Sequence, residues 1–343
     1  MGGYFCGVIA NLARRYGVRP EGWFRWLRLG MSLALGMYIW QQVSAGLVHW
    51  QQPGGRTWVW GVLAALLLLP FNVGLEALKW QLLVRRLAGL RHQPFGRAVQ
   101  AVLAGQAAGI FTPNRIGEYA GRLLFLPAGL RWQGASFTLI NRLAQMLATL
   151  WAGGVGLLLL DLSWLPNWLA YLVQGLGLTA ALMVPLVPIA CRWLVSRIPA
   201  GGIAAMLQAV AAVRYGLLMQ VLGTAVLRYG VFAGQYVLLL WVCGYTGDPW
   251  RAAGLVAVVF LLKSCIPSLT LAELGIRESV ALAVMVPGGI AAPTVLAATF
   301  ALFLLNLVLP ALLGLGIWYT ARTTTLSEGP ADLPFPPTEP WKP

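Results

Sequence analysis

The sequence predicts an all-α polytopic membrane protein with about six full spans and two re-entrant hairpins made of broken helices. Of its 343 residues, 59% are hydrophobic and only 10% are charged, whereas a soluble domain carries about 25% charged residues. The apolar residues form runs long enough to cross a bilayer as helices. Two of these runs are interrupted by proline and carry several charges, which is typical of helices that turn back inside the membrane.

Six runs are predicted to be full spans, because about 20 mostly apolar residues cross a bilayer as a helix. They are residues 27–48, 58–80, 138–160, 168–190, 217–242 and 293–319. Between the fourth and fifth runs, residues 200–214 predict a helix on the surface of the bundle.

The transmembrane domain is expected to comprise residues 27–320. Residues 1–26 hold several arginines against one acid, and their apolar stretch precedes the arginines. This order is wrong for a signal peptide, so a cytoplasmic N-terminal segment is expected. Residues 321–343 are rich in proline and are expected to be a disordered tail.

Two further apolar runs are broken by polar residues and predict hairpins at about 98–127 and about 252–287. In the first, Thr112 is expected to cap a new half-helix, with Pro113 at its first position, where the missing N–H costs nothing. The second breaks at Pro267. A charge at the bilayer centre costs roughly 2.5–3.5 kcal/mol when it faces lipid. The charged hairpin tips are therefore predicted to meet near the midplane and to form a polar site there.

The distribution of basic residues predicts the orientation. With both hairpins re-entrant, the basic loops and both termini lie in the cytoplasm. The first hairpin then enters from the cytoplasm and the second from outside, an inverted-repeat-like arrangement found in many transporters. If both hairpins crossed fully, Arg192, Arg197 and Arg214 would lie outside, so re-entry is favoured. The expected location is the inner or plasma membrane of the cell.

Polar side chains within the apolar runs are the candidate substrate-binding residues. Arg115, just after the first break, would lie beside free N–H groups at the positive end of a half-helix, which favours an anion such as phosphate. The candidates are Asn114, Arg115, Glu118, Arg142, Arg228, Glu273, Arg277 and Glu278.

A structural role is the alternative for these charges. Arg115 with Glu118, and Arg277 with its neighbouring glutamate, can form neutralising pairs that lock the hairpin tips. The arginines of the full spans can snorkel to the interface or serve a glutamate. Glu118 can also pair with Arg122 at a spacing of four residues.

Glu76 and Lys79, three residues apart near the inner end of the second run, are expected to form an interfacial pair. The two tryptophans at the start of that run are typical of an interfacial belt.

Composition argues against metal sites and nucleic-acid binding. The cysteines and histidines show no CxxC or zinc spacing, and no cofactor is expected. They are Cys6, Cys191, Cys243, Cys265, His49 and His92. The net charge is +14, and the basic residues responsible for it lie between apolar runs. Membrane topology and binding to anionic lipid headgroups therefore explain these residues better than nucleic-acid binding does.

Three motifs resemble the flippase-like transmembrane family of lysylphosphatidylglycerol synthases, which includes the membrane domain of the multiple peptide resistance factors. They are TPNRIGEY at 112–119, Asn141-Arg142, and Pro267 followed by LGIRE at 274–278. Ala272 and Glu273 stand where the family has glycine, and Asn141 stands where it has an acid. The resemblance covers roughly residues 20–320.

This resemblance implies a domain with re-entrant helices that moves an anionic or modified phospholipid, or a lipid-linked sugar, between leaflets. The matching positions imply site roles for Arg115, Glu118, Arg277 and Glu278. Bifunctional members carry a large soluble aminoacyl-transferase domain. Only about 22 residues follow the last predicted span here, so this chain is not expected to synthesise an aminoacyl lipid.

The leading hypothesis is therefore a lipid translocator rather than an enzyme. A membrane enzyme acting on a lipid-linked substrate is one alternative, although the three aspartates Asp161, Asp248 and Asp332 are unclustered. An accessory membrane protein with a structural polar core is another. The expected partner is a membrane lipid; a homodimer and a separate transferase partner are left open.

Overall fold

The computed structural model describes residues 56–87, 89–110, 112, 115–160, 186–197, 201–266 and 272–317, together with single residues 37, 168, 171, 172, 175 and 179. Across these residues the regular structure is helical, with no strand. The first five α-helices are α1 Arg56–Val84, α2 Phe95–Ile110, α3 Gly117–Leu123, α4 Arg131–Leu159 and α5 Val187–Val195. The next five are α6 Gly202–Ala211, α7 Tyr215–Val242, α8 Pro249–Cys265, α9 Ala272–Met285 and α10 Ala292–Phe303. A π-helical turn, Leu304–Val308, extends α10 toward Ile317.

Three helices of the described part are both long and apolar enough to cross a membrane. They are Trp58–Val84, Tyr215–Val242 and Ala292–Ile317. Each coincides with a predicted span, so these three helices are confirmed. Large apolar side chains such as Trp60, Leu67 and Phe71 lie exposed on α1, as expected where a helix faces lipid tails rather than water.

The other predicted spans are tested only in part. All but the last residue of the run 138–160 lies in α4, a helix of 29 residues, which is not among the three helices named above. The run 27–48 and most of 168–190 lie outside the described residues, as do segments 1–26 and 321–343. The count of six spans, the domain limits and the tail therefore stay predictions. The helix predicted at 200–214 is present as α6 and packs against α4 and α5.

The first hairpin has the predicted order of helix, break and helix, and glycine allows its arms to pack closely. A Cβ added at Gly117 would lie 2.1 Å from the backbone oxygen of Ala108, and one at Gly121 would lie 2.5 Å from that of Ala104. These distances are far too short for a carbon side chain. Small residues thus bring α3 against α2 backbone to backbone, as in close helix pairs of membrane proteins.

One detail of this hairpin prediction is wrong. The second helix begins at Gly117 rather than at Pro113, because Arg115 N–H bonds the Thr112 carbonyl in a turn first. Arg115 has a left-handed backbone, with φ 56°, and so precedes the helix instead of lying in its first turn. The residue at the N-cap position is Ile116 rather than Thr112. The Thr112 hydroxyl nevertheless accepts the N–H of Gly117 at 2.7 Å.

The two arms of the second hairpin are α8 and α9, which pack against each other. Asp248 caps α8 by accepting the N–H groups of Trp250 and Arg251, and Pro249 occupies the first turn. The tip at 267–271 lies outside the described residues. The neighbours of α3 include α2 and α4, whereas those of α9 are α8 and α10, so the meeting of the two tips stays a prediction.

Two hydrophobic cores hold the helices together. One is built mainly from α7, α8, α9 and α10. The other comes from α1, α2, α4 and the first half of α7. Since α7 contributes residues to both cores, it links the core that contains α8 and α9 with the core that contains α2. The polar site described next lies within the second core.

Candidate functional site

Six charged side chains from four helices form a connected group, called here the charge cluster. Its members are Glu76 and Lys79 of α1, Glu118 and Arg122 of α3, Arg142 of α4, and Arg228 of α7. The four helices come together because each buries apolar surface in the same core. The polar residues they carry are thereby held in the interior.

Glu76 is the centre of the cluster. Its Oε1 accepts from Arg122 Nη2 at 2.6 Å and from Asn141 Nδ2 at 2.9 Å. Its Oε2 lies 2.8 Å from Lys79 Nζ and 3.1 Å from Arg228 Nη1. One carboxylate therefore joins three cations from three helices, which fixes the relative positions of α1, α3 and α7.

Glu118 forms the second centre, on the hairpin itself. Its carboxylate pairs with Arg122 one turn along α3 and with Arg142 Nη2 at 2.8 Å. Arg142 also donates to the backbone oxygen of Arg115 at 3.0 Å, and its guanidinium lies 5.1 Å from the ring centroid of Tyr119. Arg142 thus attaches both the hairpin turn and α3 to α4.

Gln145 bridges the two sides of the cluster. Its Oε1 accepts from Lys79 Nζ at 3.2 Å and from Arg228 Nη1 at 3.0 Å. A single amide oxygen therefore separates two cations without neutralising either of them.

The cluster holds four basic groups against two acidic groups, an excess of two positive charges. The side chains of Lys79 and Arg122 are 0% and 1% exposed, whereas those of Arg228 and Arg142 are 24% and 36% exposed. Nε and Nη1 of Arg122, and Nε of Arg228, have no hydrogen-bond partner among the described residues. Among the described residues, the excess of basic over acidic groups and the unused N–H donors of Arg122 and Arg228 favour binding of an anion in a low-dielectric interior.

A second, smaller charged pair lies on the second hairpin. Arg277 Nη2 lies 3.0 Å from Glu278 Oε1, and both side chains are largely buried. The Arg277 guanidinium also lies 4.7 Å from the ring centroid of Phe303, so α9 is held against α10. The predicted pairing of these two neighbours is confirmed.

The predicted site residues are thus divided between two places. Glu118, Arg142 and Arg228 belong to the charge cluster, whereas Arg277 and Glu278 form the second pair. Arg115 contributes its backbone oxygen to Arg142, and the ion pairs of Glu118 are with Arg122 and Arg142. Asn114 and the side chain of Glu273 lie outside the described residues.

Sequence reasoning missed the centre of the site. Glu76 and Lys79 do pair at a spacing of three residues, which confirms the predicted pairing. Both side chains are also buried inside the bundle, and the sequence reasoning did not foresee this burial. A signal was present, because Asn72, Glu76 and Lys79 lie four and three residues apart. That spacing places them on one face of a helix that is mostly apolar. Arg122 was expected only to pair with Glu118, and it also reaches Glu76.

Asn72 leads to another polar chain between spans. Its amide donates to Asn306 Oδ1, and Asn306 Nδ2 donates to Gln235 Oε1 at 2.7 Å. Gln235 in turn donates to the backbone oxygen of Ala65 at 2.8 Å. These amides connect α1, α7 and the π-helical turn after α10, one helical turn along α1 from Glu76.

Comparison with known proteins supports the interpretation of a membrane domain. A family model described as the lysylphosphatidylglycerol synthase TM region matches residues 25–314. No curated protein and no solved structure matches the chain. The matched range includes every helix of the charge cluster and both hairpins. The chain therefore belongs to the lysylphosphatidylglycerol synthase TM region family and is a multi-pass membrane protein.

Proposed function

We propose that the protein is a lipid translocator, which moves a lipid with an anionic headgroup between the two leaflets through the charge cluster. The lipid class is an anionic or modified phospholipid or a lipid-linked sugar phosphate. The observation that carries this proposal is the excess of two positive charges in the cluster. The residues that carry this excess belong to helices of a membrane domain.

The energetic argument starts from the cost of these charges. Each uncompensated cation deep in a bilayer costs roughly 2.5–3.5 kcal/mol, and two carboxylates cannot neutralise four basic groups. A phosphate headgroup would supply the missing negative charge and accept the unused guanidinium N–H groups, since Arg and phosphate form strong, often bidentate contacts. The ligand would therefore relieve a cost that the protein bears without it.

Arg142 and Arg228 are the residues proposed to meet the headgroup first. They are the most exposed cations of the cluster, and each is held in place by a carboxylate at about 3 Å. Lys79 and Arg122 lie behind them and pair with the two carboxylates. Exchange of these carboxylate partners for a phosphate would release α3 from α4, because Arg142 holds both Glu118 and the turn at Arg115.

Such a release provides a step for alternating access. The hairpin α2–α3 is joined internally by glycine contacts, so it can shift as a unit against α1 and α4. Broken helices that rock around a central site are a common transport design. In this proposal, headgroup binding weakens the ion pairs that attach the hairpin, and headgroup departure restores them.

The decisive experiment is leaflet exchange of fluorescent lipids in proteoliposomes. The panel contains phosphatidylglycerol, a lipid-linked sugar phosphate and, for comparison, zwitterionic phosphatidylcholine. Wild type is compared with Arg142→Gln and Arg228→Gln. The matched control is Arg197→Gln, because Arg197 lies exposed outside the cluster on Trp193.

Wild type and the Arg197 variant are expected to accelerate exchange of an anionic lipid. The two cluster variants are expected to lose roughly 10- to 100-fold in rate, the equivalent of one charge-assisted hydrogen bond of about 1.5–3 kcal/mol. Gel filtration and thermal unfolding in detergent check that each variant is folded. Absence of exchange for every anionic lipid, or wild-type rates in both folded cluster variants, would contradict the proposal.

An accessory role with a structural polar core is the second candidate. It is favoured by one observation, namely that both carboxylates of the cluster are shared between several cations. Under this alternative the arginine substitutions lower thermal stability, and wild type moves no lipid. The same two measurements therefore separate the candidates.

A further inference from the structure

Two cavities meet at one end of the helix bundle. The larger, of about 1040 Å³, lies between α4, α7 and α8, and the smaller, of about 480 Å³, lies between the loop after α7 and the loop before α10. Ligand sites usually have volumes of roughly 300–1,000 Å³. Asp248, Arg251 and Gly288 line both cavities, so the two join there. This junction, together with the neighbouring Trp250, is called the mouth below, and the larger cavity is called the groove.

The mouth lies at a surface of the membrane. The spanning helix α7 ends at Val242 and the last apolar helix begins at Ala292, and the smaller cavity lies between these two ends. The side chains of Trp241 and Trp250 are 65% and 81% exposed. Tryptophan is typical of the level at which helices leave the hydrocarbon core. The mouth is therefore level with the lipid headgroups.

The groove runs from the mouth toward the middle of the bilayer. On the α4 side it extends from Leu160 to Ala148, which corresponds to roughly 18 Å at 1.5 Å per residue. One leaflet of the hydrocarbon core is about 15 Å deep, half of about 30 Å. The side chains along this length include Val155 and Ala257, which offer apolar contact to a chain of one leaflet's length.

The charged groups of the groove are at the mouth. Toward the inner end, the Tyr229 hydroxyl has no hydrogen-bond partner in the described part of the chain, but this hydroxyl is neutral. The mouth carries the charges of Asp248 and Arg251. A charged headgroup loses far more on leaving water than a neutral group does. A ligand with one charged and one apolar end is therefore oriented with its charged end at the mouth.

The two charges of the mouth have opposite signs and lie side by side. Arg251 forms no ion pair with any residue that the structure describes. The Asp248 carboxylate accepts the N–H groups of Trp250 and Arg251 at 3.3 and 2.9 Å, and Asp248 and Arg251 are both exposed. Arginine binds phosphate, and a carboxylate has enough lone pairs to accept an ammonium N–H as well. A purely anionic headgroup would pair with Arg251 but would also face the negative charge of Asp248.

We infer that the mouth and the groove bind a phospholipid whose headgroup is zwitterionic, with a phosphate and a primary ammonium. The phosphate contacts Arg251, the ammonium contacts Asp248, and one acyl chain lies in the groove with its methyl end toward Ala148. The lipid then has the same orientation as the other lipids of its leaflet. This site is separate from the charge cluster, since no member of the cluster lines the groove. It goes beyond the proposed function, because it requires no transport and takes a different headgroup.

Competitive photolabelling in detergent tests both the headgroup and the direction of the chain. The full chain in neutral maltoside micelles receives phosphatidylethanolamine probes that carry a diazirine either beside the acyl carbonyl or at the chain terminus. Mass spectrometry then locates the labelled residues. The first probe is expected to label near Leu160 and Gly254, and the second near Ala148 and Ala152. Unlabelled phosphatidylethanolamine is expected to compete about two- to fivefold better than phosphatidylglycerol, a difference equivalent to one exposed ion pair.

Two conservative substitutions separate the roles of the two charges. Asp248→Asn keeps the cap of α8, because asparagine caps about as well as aspartate, and is expected to abolish the preference for phosphatidylethanolamine over phosphatidylglycerol. Arg251→Gln is expected to reduce labelling by the phosphatidylethanolamine probes about two- to fivefold. The matched control is Arg197→Gln, which removes an exposed arginine that lines neither cavity and is expected to change neither quantity.

Four results would overturn the inference. They are labels in the reverse order, labels spread equally over lipid-facing residues, equal or better competition by phosphatidylglycerol, and an unchanged headgroup preference in folded Asp248→Asn. Better competition by phosphatidylglycerol would mean an anionic-lipid site instead. The label order and the competition in wild type depend on no substitution, so they decide the matter even if a variant fails to fold. Labelling in micelles involves no leaflet exchange, so this site and the translocator can fail separately.

Discussion

Removing the charge of Glu76 while keeping its shape is the most informative test of the cluster. In Glu76→Gln, the amide can still accept a hydrogen bond, but the cations around it lose their central counter-charge. Lys79 and Arg122 are 0% and 1% exposed, so water cannot replace that charge. Breaking a buried ion pair on one side costs about 3–5 kcal/mol, and this loss of unfolding free energy is expected here.

A second substitution shows whether charge is the cause. Lys79→Met alone leaves Glu76 paired with two arginines, so a smaller loss of about 1–2 kcal/mol is expected. The double variant combines Glu76→Gln with Lys79→Met, so it lacks both the carboxylate and the buried ammonium group. The double variant is therefore expected to lose about 1–3 kcal/mol less than the sum of the single losses, which is the coupling energy of neighbours in one network.

Denaturant titration of the purified protein in detergent, followed by circular dichroism, measures these free energies. Asp248→Asn is the matched control, because it removes a carboxylate at an exposed helix start, where asparagine caps about as well as aspartate. Its unfolding free energy is expected to change by less than about 0.5 kcal/mol. A loss below about 1 kcal/mol for Glu76→Gln, or strict additivity with Lys79→Met, would refute the central role of this carboxylate.

Three further outcomes are expected in the same unfolding assay. Gly117→Ala should lower the free energy of unfolding by about 2 kcal/mol or more, because its Cβ would lie 2.1 Å from the Ala108 oxygen. The control Gly129→Ala should leave stability unchanged, because a Cβ at this position meets nothing within 4 Å. Equal effects of the two substitutions would argue against close packing of the hairpin arms. Asn306→Leu should lower the free energy of unfolding by about 1–2 kcal/mol, because it removes the side-chain hydrogen bonds to α1 and α7. An unchanged unfolding midpoint would show that these hydrogen bonds do not contribute to stability. Arg277→Met should cost about 2 kcal/mol by removing the ion pair of a buried glutamate, and a gain in stability would instead mean that the pair is a net burden.

Much of the local structure follows from the chain order of residue types. The broken helix at 112–116 is predicted by a proline between polar residues, and the close contact of its arms by Gly105, Gly117 and Gly121. These features depend on backbone chemistry within a few residues. The start of α3 at Gly117 could not be predicted in this way, because the left-handed turn at Arg115 is stabilised by Arg142 from another helix.

The sequence by itself determined that this is a bundle of membrane helices with two polar breaks and buried charges, because length, hydropathy and proline positions are properties of single segments. Only the tertiary structure decided which charges meet. Glu76 reaches Arg122, Asn141 and Arg228 across 46, 65 and 152 residues of chain, and those contacts depend on how each helix is rotated. The spacing of Asn72, Glu76 and Lys79 shows that they share one face of α1. It does not show which helices that face meets, because in lipid a neighbouring helix can be apolar on every face. Packing of four helices into one core made Glu76 the centre of the site.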